Sequence, residues 1–126
     1  MTQETNHPQK ILIVDDETDI CYFLSRNLAK RGFITAFSNS IAEAEKELEI
    51  SRPEIVLLDN HLPDGRGIDF VTTITSKYPD TKIIMITAHD TPQDRLKAYN
   101  NGVSFFLAKP FTLAAVNQIV DMVVAG

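Results

Sequence analysis

Glu54-Ile55-Val56-Leu57-Leu58-Asp59-Asn60-His61-Leu62-Pro63-Asp64-Gly65 is the stretch whose reading decides the fold. Four apolar residues, Ile55 to Leu58, run without a polar break and end on the carboxylate of Asp59. A short apolar run bounded by Pro53 and by the Pro63/Gly65 turn reads as a strand buried on both faces. Asp59 then stands at the carboxyl end of an interior strand, the edge at which open α/β sheets bind ligands. Taken alone, Asp59 reads equally as a turn acid or a helix cap.

Two further runs change that. Ile11-Leu12-Ile13-Val14 leads into Asp15-Asp16, and Ile83-Ile84-Met85-Ile86 leads into Thr87. Three strand-like runs therefore end in polar residues suited to one chemistry. The chain around them has 126 residues, enough for one domain with a sizeable core, and 44% of them are hydrophobic. Its net charge of −5, with no run of Lys or Arg, offers no electrostatic footprint for nucleic acid or an anionic membrane. The single Cys21 excludes an internal disulfide and reads as a small core residue. Met1 to Lys10 lacks the apolar core of a signal peptide, and no stretch is apolar for long enough to span a bilayer. These features place the expected compartment in the cytoplasm.

Residues 1–9 read as a flexible polar leader and 10–126 as one domain. Lys10 to Val14 is the first strand, followed by a helix whose inner stripe is Ile20, Phe23, Leu24 and Leu28 and which ends at Gly32. Phe33 to Phe37 is a second, less apolar strand, expected nearer an edge. Ser40 with Glu43 makes a capping-box arrangement for a helix that stops before Pro53. After the central strand and a Gly-rich loop, Ile68 to about Tyr78 forms a third helix. Lys82 to Ile86 is the fourth strand, and Thr91-Pro92 opens a fourth helix. Ser104 to Ala108 is the fifth strand, and Thr112 caps a last helix with Leu113, Val116, Ile119, Val120 and Val123 inward. Alternating strands and helices require a parallel sheet covered on both faces. The expected fold is a single-domain α/β, doubly wound (βα)5 flavodoxin-like sheet of strand order 2-1-3-4-5, which sets Asp15-Asp16 beside Asp59.

Carboxylates gathered at strand ends repel one another, and burial adds to that cost, so a positive group has to sit among them. An all-oxygen donor set without Cys favours a hard cation such as Mg²⁺. Lys109, held by Pro110 at the end of the fifth strand, supplies a second positive charge, and Thr87 supplies a hydroxyl donor. Together they form a phosphoryl-transfer kit in which Asp59 is the nucleophile.

On these residues the chain resembles the receiver domain of two-component response regulators, from Ile11 to about Val124. The matching pieces are Ile13-Val14-Asp15-Asp16-Glu17, Leu57-Leu58-Asp59, Leu62-Pro63-Asp64-Gly65, Thr87-Ala88 and Lys109-Pro110-Phe111. The resemblance implies that Asp59 is the phosphoacceptor, receiving its phosphoryl group from a sensor histidine kinase or a histidine phosphotransfer protein. It implies Asp16, Asp59 and the His61 backbone carbonyl as direct Mg²⁺ ligands, with Asp15 acting through a metal-bound water. Thr87 and Lys109 would bind the phosphoryl oxygens, and Lys109-Pro110 would be a cis peptide. The molecule is then a signalling switch, whose only chemistry is self-phosphotransfer and slow autodephosphorylation.

A dianion on Asp59 would draw Thr87 and Lys109 inward and free space for the aromatic at position 106, here Phe106, to rotate. Phe has no hydroxyl to leave unsatisfied, so an inward rotamer is expected even without phosphate, and one of the pair Phe105/Phe106 is expected to be exposed. His61 and His89 stand where side chains tune hydrolysis of the acyl phosphate, or else are solvated loop residues. The signalling face implied for the family (fourth helix, fifth strand, fifth helix) carries Tyr99, Met122 and Val124 beyond one core stripe. That surplus fits a downstream output domain or protein, or a homodimer, and equally a more deeply buried last helix. Two other readings are weaker. A haloacid-dehalogenase-type phosphohydrolase would carry an Asp where His61 stands, and a scaffold would not need the full set of Asp15, Asp16, Asp59, Thr87 and Lys109.

Overall fold

The computed structural model describes residues 8–88 and 90–126. Residues 1–7 of the expected leader, and His89, lie outside the described residues. In chain order the elements are β1 (Lys10–Val14), α1 (Thr18–Lys30), β2 (Ile34–Ser38), α2 (Ile41–Ser51), β3 (Ile55–Asp59), β4 (His61–Leu62), β5 (Gly65–Arg66), α3 (Gly67–Lys77), β6 (Lys82–Thr87), α4 (Pro92–Asn100), β7 (Phe105–Ala108) and α5 (Leu113–Ala125). Five parallel strands pair in the order β2-β1-β3-β6-β7. This is the expected 2-1-3-4-5 order, with the antiparallel β4-β5 ribbon inserted after β3.

Strand side chains alternate between two faces, and each face has its own helices. Leu12, Val14, Val56, Leu58, Ile83 and Met85 pack with Ala44, Leu48, Phe70, Val71 and Ile74 on the α2–α3–α4 side. Ile11, Ile13, Ile55, Leu57, Ile84 and Ile86 pack with Leu24, Leu28, Val116 and Val120 on the α1–α5 side. β1, β3 and β6 therefore need apolar residues at successive positions, which is why they read as unbroken runs.

Helix ends follow local chemistry. The Ser40 Oγ accepts from Glu43 N at 3.1 Å, whereas the Glu43 carboxylate reaches the Asn39 N–H at 3.0 Å instead of closing the box on Ser40. Thr91 and Thr112 hydroxyls accept from Asp94 N and Ala115 N, each at 3.1 Å. Gly32 follows the α1 C-terminus at φ +98°, as its position in the sequence requires. Arg52 ends α2 in the left-handed region at φ 48°, one residue before Pro53.

Two expectations about side chains are corrected. Phe23 is not in the core but 55% exposed, because the buried stripe of α1 is Cys21, Leu24 and Leu28. Neither member of the Phe105/Phe106 pair is exposed. As neighbours on one strand they enter opposite faces, Phe106 into the α2–α3–α4 core and Phe105, half-buried, against the α1–α5 core.

Candidate functional site

Parallel register delivers the polar strand ends to one edge. Asp59, the last residue of β3, lies opposite Ile86 of β6 and is 4% exposed, while Asp15 follows β1 and is fully buried. The Asp15 N–H donates to Ser38 O at 3.1 Å, which extends the β1–β2 ladder by one residue and fixes that carboxylate at the edge. Thr87 ends β6 and is buried. Its carbonyl accepts from Lys109 N at 2.8 Å, so the end of β6 is held to the residue that follows β7. The Lys109–Pro110 peptide is cis.

Lys109 is the pivot. Its Nζ lies 2.9 Å from Asp15 Oδ2, 3.1 Å from Glu17 Oε2 and 3.7 Å from Asp59 Oδ2. Burial pushes the Asp59 carboxyl up to about 6, with the Asp15 charge adding to the rise against the opposing Lys109 charge. The Asp15 carboxyl is also raised, first by burial, although its hydrogen bond to Lys109 acts the other way. For Lys109, burial favours the neutral amine, yet the hydrogen bond and charge of Asp15 with the charge of Asp59 hold its pKa above the ordinary lysine value. Lys109 therefore remains an ammonium.

The acidic end carries surplus negative charge. Asp15, Asp16 and Glu17 place ligand atoms within 4.8 Å of one another, and Asp59 adds a fourth carboxylate against the Lys109 ammonium. Oxygen donors with uncompensated charge suit a hard divalent cation, so Mg²⁺ fits the donor set. Asp16 is exposed and His61 holds an exposed side chain at the start of the β4-β5 ribbon. Buried Cys21, 3.2 Å from Asp15 O, is pushed up to about 12 by burial first and by the Asp15 charge second.

Asn60, Gly67, Asp64 and Arg95 position the site without having been assigned a role from sequence. The Asn60 side chain accepts from Ile68 N at 2.9 Å and its carbonyl from Gly67 N at 2.8 Å, docking the start of α3 directly behind Asp59. A Cβ at Gly67 would collide with the Asp59 carbonyl oxygen, so this approach needs glycine. The Asp64 carboxylate accepts from Ile41 N at 2.8 Å and Ala42 N at 2.9 Å, tying the loop after Asp59 to the start of α2 and lowering its own pKa. Phe106 is 7% exposed, with the Arg95 guanidinium 4.7 Å over its ring and the Tyr99 hydroxyl accepting from its N–H at 3.1 Å. Asp64, inside the Leu62-Pro63-Asp64-Gly65 motif, is the one of these with a signal in the sequence.

A family model for the response regulator receiver domain matches residues 11–121. The chain belongs to this family. Receiver domains are signalling modules of two-component systems, and they bind a divalent metal at the acidic pocket, with which the Asp15–Asp16–Glu17 cluster is consistent. Among curated relatives, response regulator protein PilR of Pseudomonas aeruginosa is 36% identical over 112 residues. Transcriptional regulatory protein PrrA of Mycobacterium tuberculosis is 31% identical over 105 residues. The matches cover 89% and 83% of this chain but only 25% of PilR and 45% of PrrA. Among solved structures, the beryllofluoride-activated NtrC4 receiver domain dimer is 32% identical with a TM-score of 0.86, covering 90% of this receiver and 94% of that chain. The non-phosphorylated HemR receiver domain of Leptospira biflexa is 29% identical with a TM-score of 0.89, covering 95% and 96%. No helix among the described residues is long and apolar enough to cross a membrane.

Proposed function

We propose that this receiver takes a phosphoryl group on Asp59 from a phosphohistidine donor in an Mg²⁺-dependent reaction and relays its presence through α4, β7 and α5. The carrying observation is the buried Asp59 carboxylate, 3.7 Å from the Lys109 ammonium and backed by Asp15. In the transfer an Asp59 oxygen attacks phosphorus and the phosphorus–nitrogen bond to the donor imidazole breaks. The electron pair goes to that nitrogen, and the negative charge stays on the phosphoryl oxygens. Later attack by water on phosphorus releases inorganic phosphate and restores the carboxylate.

Asp16, Asp59 and the His61 carbonyl are the residues we assign to hold Mg²⁺, with Asp15 beside them. Bound there, the cation supplies neutralisation of phosphoryl charge. Lys109 and Thr87 bind the phosphoryl oxygens, and His61 and His89 tune access of the hydrolytic water. The donor must bring its imidazole over Asp59 past Lys109. A groove of about 410 Å³ lined by Ile20, Phe23, Pro110 and Phe111 opens beside that lysine and gives the donor an apolar footing. Exposed Phe23 thus has a use that the core did not give it.

The switch runs from Thr87 to Phe106 and reaches a surface on which Leu96, Tyr99, Met122 and Val124 are exposed. That surface suits an output domain or protein, or a second receiver. The NtrC4 relative is a dimer when activated by beryllofluoride, which supports the second receiver. The compartment we assign is the cytoplasm, where such donors operate. The test is amide NMR with Mg²⁺ and beryllofluoride. The expected result is a saturable shift at Asp59, Thr87 and the α4–β7–α5 surface, lost in Asp59→Asn. Multiple turnover of small phosphate esters would favour a phosphohydrolase, and no response at all would favour a scaffold.

A further inference from the structure

We propose that Glu17 is a positioning residue for Lys109, which competes with the phosphoryl group for the same ammonium and thereby sets how tightly the site takes that group. The inference rests on the phosphoacceptor reading of Asp59.

An ammonium has three N–H donors. In this structure Lys109 is within hydrogen-bond range of two carboxylates, Asp15 at 2.9 Å and Glu17 at 3.1 Å, while Asp59 at 3.7 Å lies beyond it. The acceptor carboxylate is thus the most distant of the three. A third donor can turn toward phosphoryl oxygens arriving over Asp59, but the nitrogen that carries it sits 3.7 Å away on the Asp15–Glu17 side, so it has to move toward them and that movement lengthens one existing contact.

The two contacts are not equal. Asp15 is fully buried and its Oδ1 already accepts from Glu17 N at 2.9 Å, so releasing it would leave a buried charge without its counter-ion. The Glu17 carboxylate is 59% exposed and is re-solvated at little cost when the lysine leaves. Glu17 is therefore the partner given up. Its backbone does not move with its side chain: the N–H is held by Asp15, and the carbonyl accepts from Cys21 N at 3.2 Å at the start of α1. This leaves side-chain rotation as the release, and it makes reach critical. An aspartate at 17, one methylene shorter, keeps the charge but not the contact.

The experiment is a beryllofluoride titration in saturating Mg²⁺, read at the Asn60 and Thr87 amides, for wild type, Glu17→Ala and Glu17→Asp. Glu17→Ala, which removes the acceptor oxygens altogether, is expected to bind about two- to fivefold more tightly, the range for removing one exposed ion pair. Glu17→Asp is expected to match Glu17→Ala, because the competition depends on the contact. The same spectra report whether each variant is folded. Equal affinity in all three proteins overturns the inference while leaving the phosphoacceptor reading intact. Glu17→Asp behaving as wild type also overturns it, since charge at a distance would then explain the Glu17→Ala effect. A wild-type protein that does not respond to beryllofluoride overturns the phosphoacceptor reading, and this inference with it.

Discussion

Asp59→Asn should make the metal-free protein more stable at neutral pH. Burial and the Asp15 charge raise the Asp59 carboxyl from its ordinary 3.8 to about 6, with the favourable Lys109 charge already counted in that balance. Between those two values the folded protein holds more protons than the unfolded chain, so stability is lost as pH rises through the window and stays lost above it. A shift of this size corresponds to at most about 3 kcal/mol at pH 7.5. An amide fills the same volume without the charge and should recover roughly 1–3 kcal/mol, a Tm gain on the order of 5–10 °C for a domain of this size. The advantage should shrink to about a third of its value at about pH 4.5, where the wild-type carboxyl is largely protonated when folded. The assay is thermal unfolding by circular dichroism in EDTA across that pH range. Adding Mg²⁺ should then raise the wild-type Tm more than that of Asp59→Asn, because only wild type carries the full charge that the cation neutralises. A variant less stable than wild type at pH 7.5, or a difference independent of pH, would refute the reasoning.

Gly67→Ala should cost about 1–3 kcal/mol, the usual penalty for overpacking, because its Cβ meets backbone rather than a flexible side chain. The displaced Asp59 backbone should also weaken beryllofluoride binding, measured by the same NMR titration. Arg95→Ala removes a cation lying 4.7 Å over the Phe106 ring and should cost about 0.5–1 kcal/mol in denaturant unfolding. Its Phe106 ring resonances should move toward those of a more exposed aromatic. The Cys21 thiol, fully buried and pushed up to about 12, should resist a thiol reagent at pH 8 until the protein unfolds.

The sheet was legible because β1, β3 and β6 face helices on both sides, which demands apolar residues at every position and makes the polar residue at each end conspicuous. Asp15, Asp59, Thr87 and Lys109 follow from that edge without knowledge of any side-chain contact. What escaped the sequence had no period to reveal it. The two-residue strands β4 and β5 are too short for alternation, and they appear only because the loop folds back on itself. Phe23 sits one position off a narrow buried stripe, so helical spacing alone placed it inward. The Glu17–Lys109 contact joins residues 92 apart, and the Asp64 cap reaches α2 across 22 and 23 positions. Such pairings depend on where rotamers point after the elements have packed. Asn60 carries a cap for a helix seven residues further on, a span at which the familiar N-cap spacing gives no hint.

Covalent capture of phosphorus by Asp59 is the claim on which the rest depends, and mass spectrometry of the protein treated with Mg²⁺ and a small phosphodonor tests it most directly. The account predicts one added phosphoryl group on the peptide containing Asp59, absent in EDTA and absent in Asp59→Asn. An unmodified wild-type protein, or a phosphoryl group that persists in Asp59→Asn, would contradict it.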